Sequence, residues 1–361
     1  QLQYINGEFG EPKNPLTVAA KDLDPMYQDE FILGFQAALS DHLSLGVRGI
    51  YRKLKAAIDD NCDYTAILEA AGFHLDEDDG WLDGQGRSPA LPNSGFPYCR
   101  MFNPGKDAVF LTDLYGDGKL TEVRVKGDRL APKAKRSYQA VEIFLDGNWD
   151  KLFLQGSYTY AKSKGNTEGG VKSDIGQVNT NATQDFDYIE LTTDTFGYLP
   201  NDRRHSLKLF GNYDISEEWS VGGNLLVQSG RPINCLGVLY PYHGDFHPYG
   251  SSFMRCGTTS AGQSVDPDTG ELNGPVEAVP RGTKGRLPWT YSLDLNLRYA
   301  PSWAKGLSFK VDVFNVINKQ RVVSVVEQAE DPDTGLPSDV YLLPTAYQPP
   351  RSVRLMVQYD F

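Results

Sequence analysis

The chain has 361 residues, of which 23% are charged and 12% aromatic, and a formal net charge of -12, which argues against a nucleic-acid partner because such binding depends on basic groups that displace counterions. No run approaches the ~18 apolar residues of a membrane helix, and mean hydropathy is -0.43. These values leave a β-barrel open, since barrels hide hydrophobicity in alternation and dilute it with long polar loops, and the 20 Tyr, 17 Phe and 36 Gly suit aromatic girdles and closely paired strands. The first residue is Gln1, with no initiator Met and no signal segment, so a processed or truncated chain is expected.

Residues 1–28, with Pro12, Pro15 and Pro25, read as the end of a loop. Segments with strand alternation follow at 29–40, 43–58, 136–146, 149–163, 203–214, 219–230, 289–299, 306–316 and 351–361. In the first, Phe31, Leu33, Phe35, Ala37 and Leu39 share a face, because strand side chains have period two. In the last, Val353, Leu355, Val357, Tyr359 and Phe361 share one, and its ~11 residues match the length a tilted strand needs to cross a bilayer. Gly147-Asn148 is a hairpin signal between the third and fourth segments.

The connections between segments run about 2, 77, 2, 39, 4, 58, 6 and 34 residues. Bacterial outer-membrane barrels alternate short periplasmic turns with long extracellular loops, whereas compact soluble domains rarely repeat loops beyond about 15 residues. Trp149, Trp219 and Trp303 stand at short turns, and Trp289, Tyr158 and Tyr160 beside long loops, as two interfacial belts require. The pattern predicts an all-β, transmembrane antiparallel β-barrel with the C-terminus periplasmic. Arg48, Glu142, Lys208, Asp294, Arg298, Lys310, Asp312 and Arg354 would face the lumen, as a polar wall or a surface against a plug. An even strand count is usual for such barrels, so nine segments imply part of a larger barrel or closure by a second chain.

Leu199-Pro200-Asn201-Asp202-Arg203-Arg204-His205-Ser206-Leu207-Lys208-Leu209-Phe210-Gly211, then Ser229-Gly230-Arg231-Pro232-Ile233, then Val311-Asp312-Val313-Phe314-Asn315-Val316-Ile317-Asn318-Lys319, and the terminal Tyr359-Asp360-Phe361, together resemble the C-terminal part of a TonB-dependent outer-membrane receptor, nearest the Oar-like group. The resemblance covers 29–361 in strand order. It implies the last nine strands of a 22-stranded barrel, an N-terminal plug and further strands outside this sequence, outer-membrane lipid around the barrel, and coupling to the TonB complex.

Four cysteines lie in two long loops, and an even count in an exported chain favours disulfides; pairing within each loop, Cys62 with Cys99 and Cys235 with Cys256, is the simplest of three connectivities. Asp113, Asp117 and Glu122 are candidate Ca²⁺ ligands in a degenerate EF-hand-like loop, with Tyr115 where a ligand belongs and a plain Asp-Gly hairpin turn as the alternative. Asp-Pro-Asp-Thr-Gly at 266–270 and 331–335 predicts tight turns at hairpin tips. Asn181-Ala182-Thr183 matches a glycosylation pattern that carries no meaning in a bacterium. Tyr240, Tyr242, His243 and His247 form an aromatic, His-bearing cluster, a candidate ligand contact or simple loop packing.

No Ser-His-Asp order, metal-binding His pair or phosphate loop stands out, so an enzyme is not expected, and no cofactor besides Ca²⁺ is suggested. The expected function is a receptor that binds its ligand with extracellular loops and imports it with TonB-derived energy. A surface structural component that binds other envelope proteins without transport is the second expectation, and a secreted β-sandwich adhesin, soluble without detergent, the third.

Overall fold

The computed structural model describes residues 14–90, 99–180, 182–238, 249–256 and 278–361. Its main sheet is an antiparallel meander of nine long strands: β1 Tyr27–Ser40, β2 Leu43–Ala56, β3 Arg136–Asn148, β4 Leu152–Gly165, β5 His205–Asp214, β6 Trp219–Gln228, β7 Thr290–Tyr299, β8 Leu307–Phe314 and β9 Ser352–Tyr359, with Gly197–Tyr198 as a short addition on β4. Each strand pairs with the next in sequence, and all nine predicted segments are present. Among the described residues no second sheet covers either face of this one, which removes the β-sandwich expectation.

Register turns the alternation of each strand into two continuous faces. Leu33 faces Gly49, Gly49 faces Val141, Val141 faces Tyr160, and Tyr160 faces His205. On the other end of the sheet, Leu297 faces Val311, which faces Leu355. This face is apolar and open: Leu33 is 85% and Leu355 75% exposed. In water each such side chain would forgo roughly 1.5–3 kcal/mol of burial, and soluble monomers rarely expose contiguous patches above a few hundred Å². Hydrocarbon removes that penalty.

Aromatic residues bound the apolar band at both ends. Toward the long loops, His205 stacks on Trp289 with centroids 5.4 Å apart, lies 5.3 Å from Tyr160, and meets the Tyr158 hydroxyl at 2.7 Å. Toward the short turns, Trp219 stacks on Tyr299 at 4.4 Å, and Tyr299 is followed by Phe309 at 6.3 Å. Trp289 and Tyr299 are ten positions apart on one strand run, which spans about 25 Å along the normal of a sheet tilted ~40°. That is the height of a barrel's apolar band.

One turn differs from expectation. Gly147 and Asn148 remain paired in β3, opposite Leu154 and Phe153, and the chain reverses over 149–151 with the Trp149 amide donating to the Leu152 carbonyl at 2.8 Å. The glycine has a different use: a Cβ on Gly147 would sit 2.3 Å from the Trp149 ring, so its absence lets the indole lie flat on the strand. Gly46 does the same for Phe144 on the opposite face. Elsewhere ends shift by a few residues; β8 stops at Phe314 because Asn315 takes φ 48°.

The long loops fold into structures of their own. After β2, the hairpin Ala108–Asp113 with Leu120–Val125 and the helix Thr65–Ala70 enclose a core that includes Phe73, Phe102, Phe110, Val125 and Leu130. The segment before β1 joins it through the Ala20 amide, which donates to the Met101 carbonyl at 2.8 Å. Both predicted disulfides, Cys62–Cys99 and Cys235–Cys256, are formed.

Candidate functional site: lumen wall and loop body

All eight charged residues predicted for the lumen lie on the face opposite the apolar one, because each falls at the alternate parity of its strand. Arg48 faces Glu142 in register and bonds to it through Nε, with its guanidinium 5.6 Å from the Phe144 ring. Asp312 lies between Lys310 at 3.2 Å and Arg354 at 2.8 Å. Asp294 accepts from the Asn315 amide at 2.8 Å, so its task is to seat the end of β8. Lys208 lines a recess of ≈ 370 Å³ with Phe144, Asp146, Gln155 and Asn224. Arg298 and Lys310 line another of ≈ 430 Å³ with Asn212, Asn296 and Gln358. These groups make a polar wall of both signs, with no juxtaposed nucleophile and base.

The structure does not bring the calcium candidates Asp113, Asp117 and Glu122 together. Asp113 accepts backbone amides of Gly116 at 2.8 Å and Gly118 at 2.8 Å, Asp117 accepts from the Lys119 amide at 3.0 Å, and Glu122 pairs with Lys21. Their oxygens do not converge on one point, and the geometry is that of a self-capped hairpin turn. Asp60 lies beside Cys62 and Cys99, but their sulfurs are tied in a disulfide and offer no thiolate. At 331–335 the predicted tight turn forms: the Gly335 amide donates to the Asp331 carbonyl at 2.8 Å, and the Asp331 side chain accepts from Thr334 at 2.9 Å. Tyr240, Tyr242, His243 and His247, and the second such turn at 266–270, lie outside the described residues.

What sequence reasoning missed is a buried ionic body that joins three loops. Arg281, fully buried, donates through Nη2 to Asp185 at 3.1 Å and through Nε to the Thr195 carbonyl at 3.0 Å, and its Nη1 lies 3.4 Å from Asp174. Lys172 donates to the same Asp185 oxygen at 2.7 Å. Burial opposes the charge on Asp185, yet Lys172 and Arg281 hold its pKa below the usual carboxylate range. Asn234 links this centre to Glu327, which also pairs with Arg231; burial pushes Glu327 up to about 7 against the pull of Arg231.

A second cluster stores the opposite tendency. Asp59 accepts the Thr183 amide at 2.7 Å and its hydroxyl at 2.8 Å, and Asp187 accepts from the Tyr249 hydroxyl at 2.9 Å. Burial raises the pKa of Asp59, Asp60 and Asp187, and repulsion from Asp60 adds to the rise at Asp187. Separated aspartates gave no sequence signal for either cluster. Asp202, within the 199–211 stretch that carries the family resemblance, is a further buried hub that the sequence did not single out: it accepts the Ser163 amide at 2.8 Å and Arg286 at 2.6 Å.

No protein-family model matches the chain. Over 271 residues, 64% of this chain, it is 30% identical to the TonB-dependent transporter Oar of Myxococcus xanthus. Over that stretch the chain is similar to a TonB-dependent transporter, and its fold is a nine-stranded antiparallel meander with one apolar and one polar face. The aligned part spans 23% of that relative's length. Among solved structures it is similar to the outer membrane transporter YddB from Escherichia coli (TM-score 0.49, 11% identity, 95% of this chain and 34% of that one). It is also similar to the siderophore receptor PiuA from Acinetobacter baumannii (TM-score 0.45, 11% identity, 98% and 31%).

Proposed function

We propose that this chain is the C-terminal part of the barrel of a TonB-dependent outer-membrane receptor, with its long loops outside the cell and β9 ending in the periplasm. The loops bind the ligand, and the lumen wall lets it pass with TonB-derived energy. One observation carries the reading: a nine-stranded meander whose connections alternate short and long, with one apolar face bounded by aromatic girdles. Homology to a TonB-dependent transporter supports the coupling. Arg48, Glu142, Lys208, Arg298, Lys310, Asp312 and Arg354 then form the wall that a plug and a passing ligand would meet. Both signs on that wall suit a ligand held briefly over one trapped by charge.

Two measurements on cells producing the full-length protein test this. A membrane-impermeant maleimide should label Asp333→Cys, at the turn 331–335, on intact cells and reach Glu217→Cys only after the envelope is opened; the opposite pattern would overturn the orientation. Metabolite profiling of the medium should reveal a compound depleted by the wild type, but not by a deletion strain, only while the inner membrane is energised. If no depletion depends on the chain, the non-transporting surface component takes its place.

A further inference from the structure

The lipid-facing side of the sheet is uneven. Near the long loops, Phe31, Leu33, Gly49, Tyr51, Val141 and Tyr160 line a groove of ≈ 590 Å³, a size that falls within the roughly 300–1,000 Å³ of small-molecule sites. Gly49 opens it, since a Cβ there would touch only the Leu33 carbonyl oxygen, at 3.9 Å. Register decides what stands at its loop-side end. Tyr51 faces Gln139, which faces Lys162; one level farther out, Lys53 faces Ser137, which faces Lys164. With ~4.8 Å between strands and ~6.7 Å between same-face residues, Lys53 and Lys162 start about 12 Å apart, and both can reach one anionic group over the groove.

These two lysines are the spare cations of the region. Lys55 is paired with Asp29 at 2.8 Å, and Lys164 lies 4.5 Å from the centre of the Tyr198 ring. The side chains of Lys53 and Lys162 make no ion pair or hydrogen bond with another described residue; Asp29, which faces Lys53 in register, is taken by Lys55. A second lipid-facing groove, ≈ 340 Å³, lies toward the short turns between Leu154, Leu209, Val221 and Leu295, and no cation lines it. Of these two slots, the one on the long-loop side is crowned by cations.

We propose that the Gly49 groove, with Lys53 and Lys162, is a binding site for a phosphate-bearing acylated lipid of the leaflet on the long-loop side. One acyl chain lies along Gly49 between Tyr51 and Val141, and a headgroup phosphate sits between the two ammonium groups. The site rests on the membrane reading above, which fails separately, and visibly, if the full-length protein stays in solution without detergent.

The test is native mass spectrometry of the full-length protein in mild detergent, titrated with bisphosphorylated lipid A, with its dephosphorylated form, and with inorganic phosphate as competitor. The phosphorylated lipid should be retained and the dephosphorylated form lost. K53E/K162E should weaken retention about 10- to 30-fold, the size of two cation–headgroup attractions, and Gly49→Trp should weaken it by filling the slot. Lys305→Glu, at the opposite rim, should change nothing. Migration on unheated gels confirms that each barrel is folded, and K53Q/K162Q replaces any charge-reversal variant that is not. Equal retention by wild type and variants, equal retention of the dephosphorylated form, or displacement by free phosphate would each overturn the site.

Discussion

Arg286 donates through Nη2 to Oδ1 of Asp202 at 2.6 Å, across 84 residues of sequence, while its Nη1 reaches the Gly230 carbonyl at 3.1 Å. One side chain thereby joins the loop before β5, the segment after β6 and the approach to β7, just beyond the aromatic girdle on the long-loop side. Asp202 is buried and Arg286 about a quarter exposed at its side chain, so the pair is only partly screened by water. Asp202→Ala should leave Arg286 and the Ser163 amide without their acceptor and cost about 2–4 kcal/mol. Thermal unfolding of the full-length protein, followed by gel migration, should show a lower midpoint; an unchanged one would make the hub dispensable.

Asn315 is the hinge between β8 and the loop that returns as β9. It adopts φ 48°, donates through Nδ2 to the Pro349 carbonyl at 2.7 Å and the Lys319 carbonyl at 3.2 Å, and gives its amide to Asp294. Asn315→Ala loses both side-chain bonds and a residue type tolerant of left-handed backbone, for a cost of about 2–3 kcal/mol. Asn315→Gly should recover the conformational part alone. The ordering wild type, glycine, alanine in unfolding midpoint checks it.

The disulfide Cys62–Cys99 closes a separation of 37 residues, and Cys235–Cys256 one of 21. Each removes about 3–4 kcal/mol of chain entropy from the open loop in the entropic account. Paired serine substitutions should expose the loops to limited proteolysis while leaving the barrel intact, because the barrel's strand pairing shares no residue with either bridge. Loss of the folded barrel in these variants would show that loops and wall form one cooperative unit.

Asp59, Asp60 and Asp187 give the loop body a definite pH response. Their folded pKa values are raised above the usual 3.8, so the folded state holds protons that the unfolded chain releases. Stability from this cluster is full below pH ~4 and is lost as pH rises toward the raised values. The hydrogen-exchange protection factor around Cys62, corrected for the intrinsic exchange rate at each pH, should accordingly be larger at pH 5 than at pH 8. Asp187→Asn, which keeps an acceptor for Tyr249 and removes the charge, should flatten the dependence; a variant as pH-sensitive as wild type would place the response elsewhere.

The barrel wall was legible because its physics is local. A strand between hydrocarbon and lumen must alternate, so Leu33 and Arg48 announced their faces without knowledge of a neighbour, and the loop lengths announced the meander. Gly147 misled because a glycine before a turn and a glycine beneath an indole look alike in sequence; the position of Trp149 distinguishes them only in space. Asp113, Asp117 and Glu122 have the composition of a cation loop, and only the folded loop shows the backbone amides and Lys21 that they meet.

Sequence alone indicated the strand segments, their faces and the girdles, since each follows from period or spacing, and offered within-loop cysteine pairing as the simplest of three connectivities. Tertiary structure decided which distant charges meet. Arg281 with Asp174 and Asp185, Glu327 with Arg231, and Asp202 with Arg286 come from loops tens of residues apart, and a lone charge in a polar loop carries no mark of burial. The lipid-side groove was hidden for the same reason: Lys53, Gly49 and Lys162 are unremarkable along the chain, and only the register of three strands sets two free ammonium groups over one empty slot.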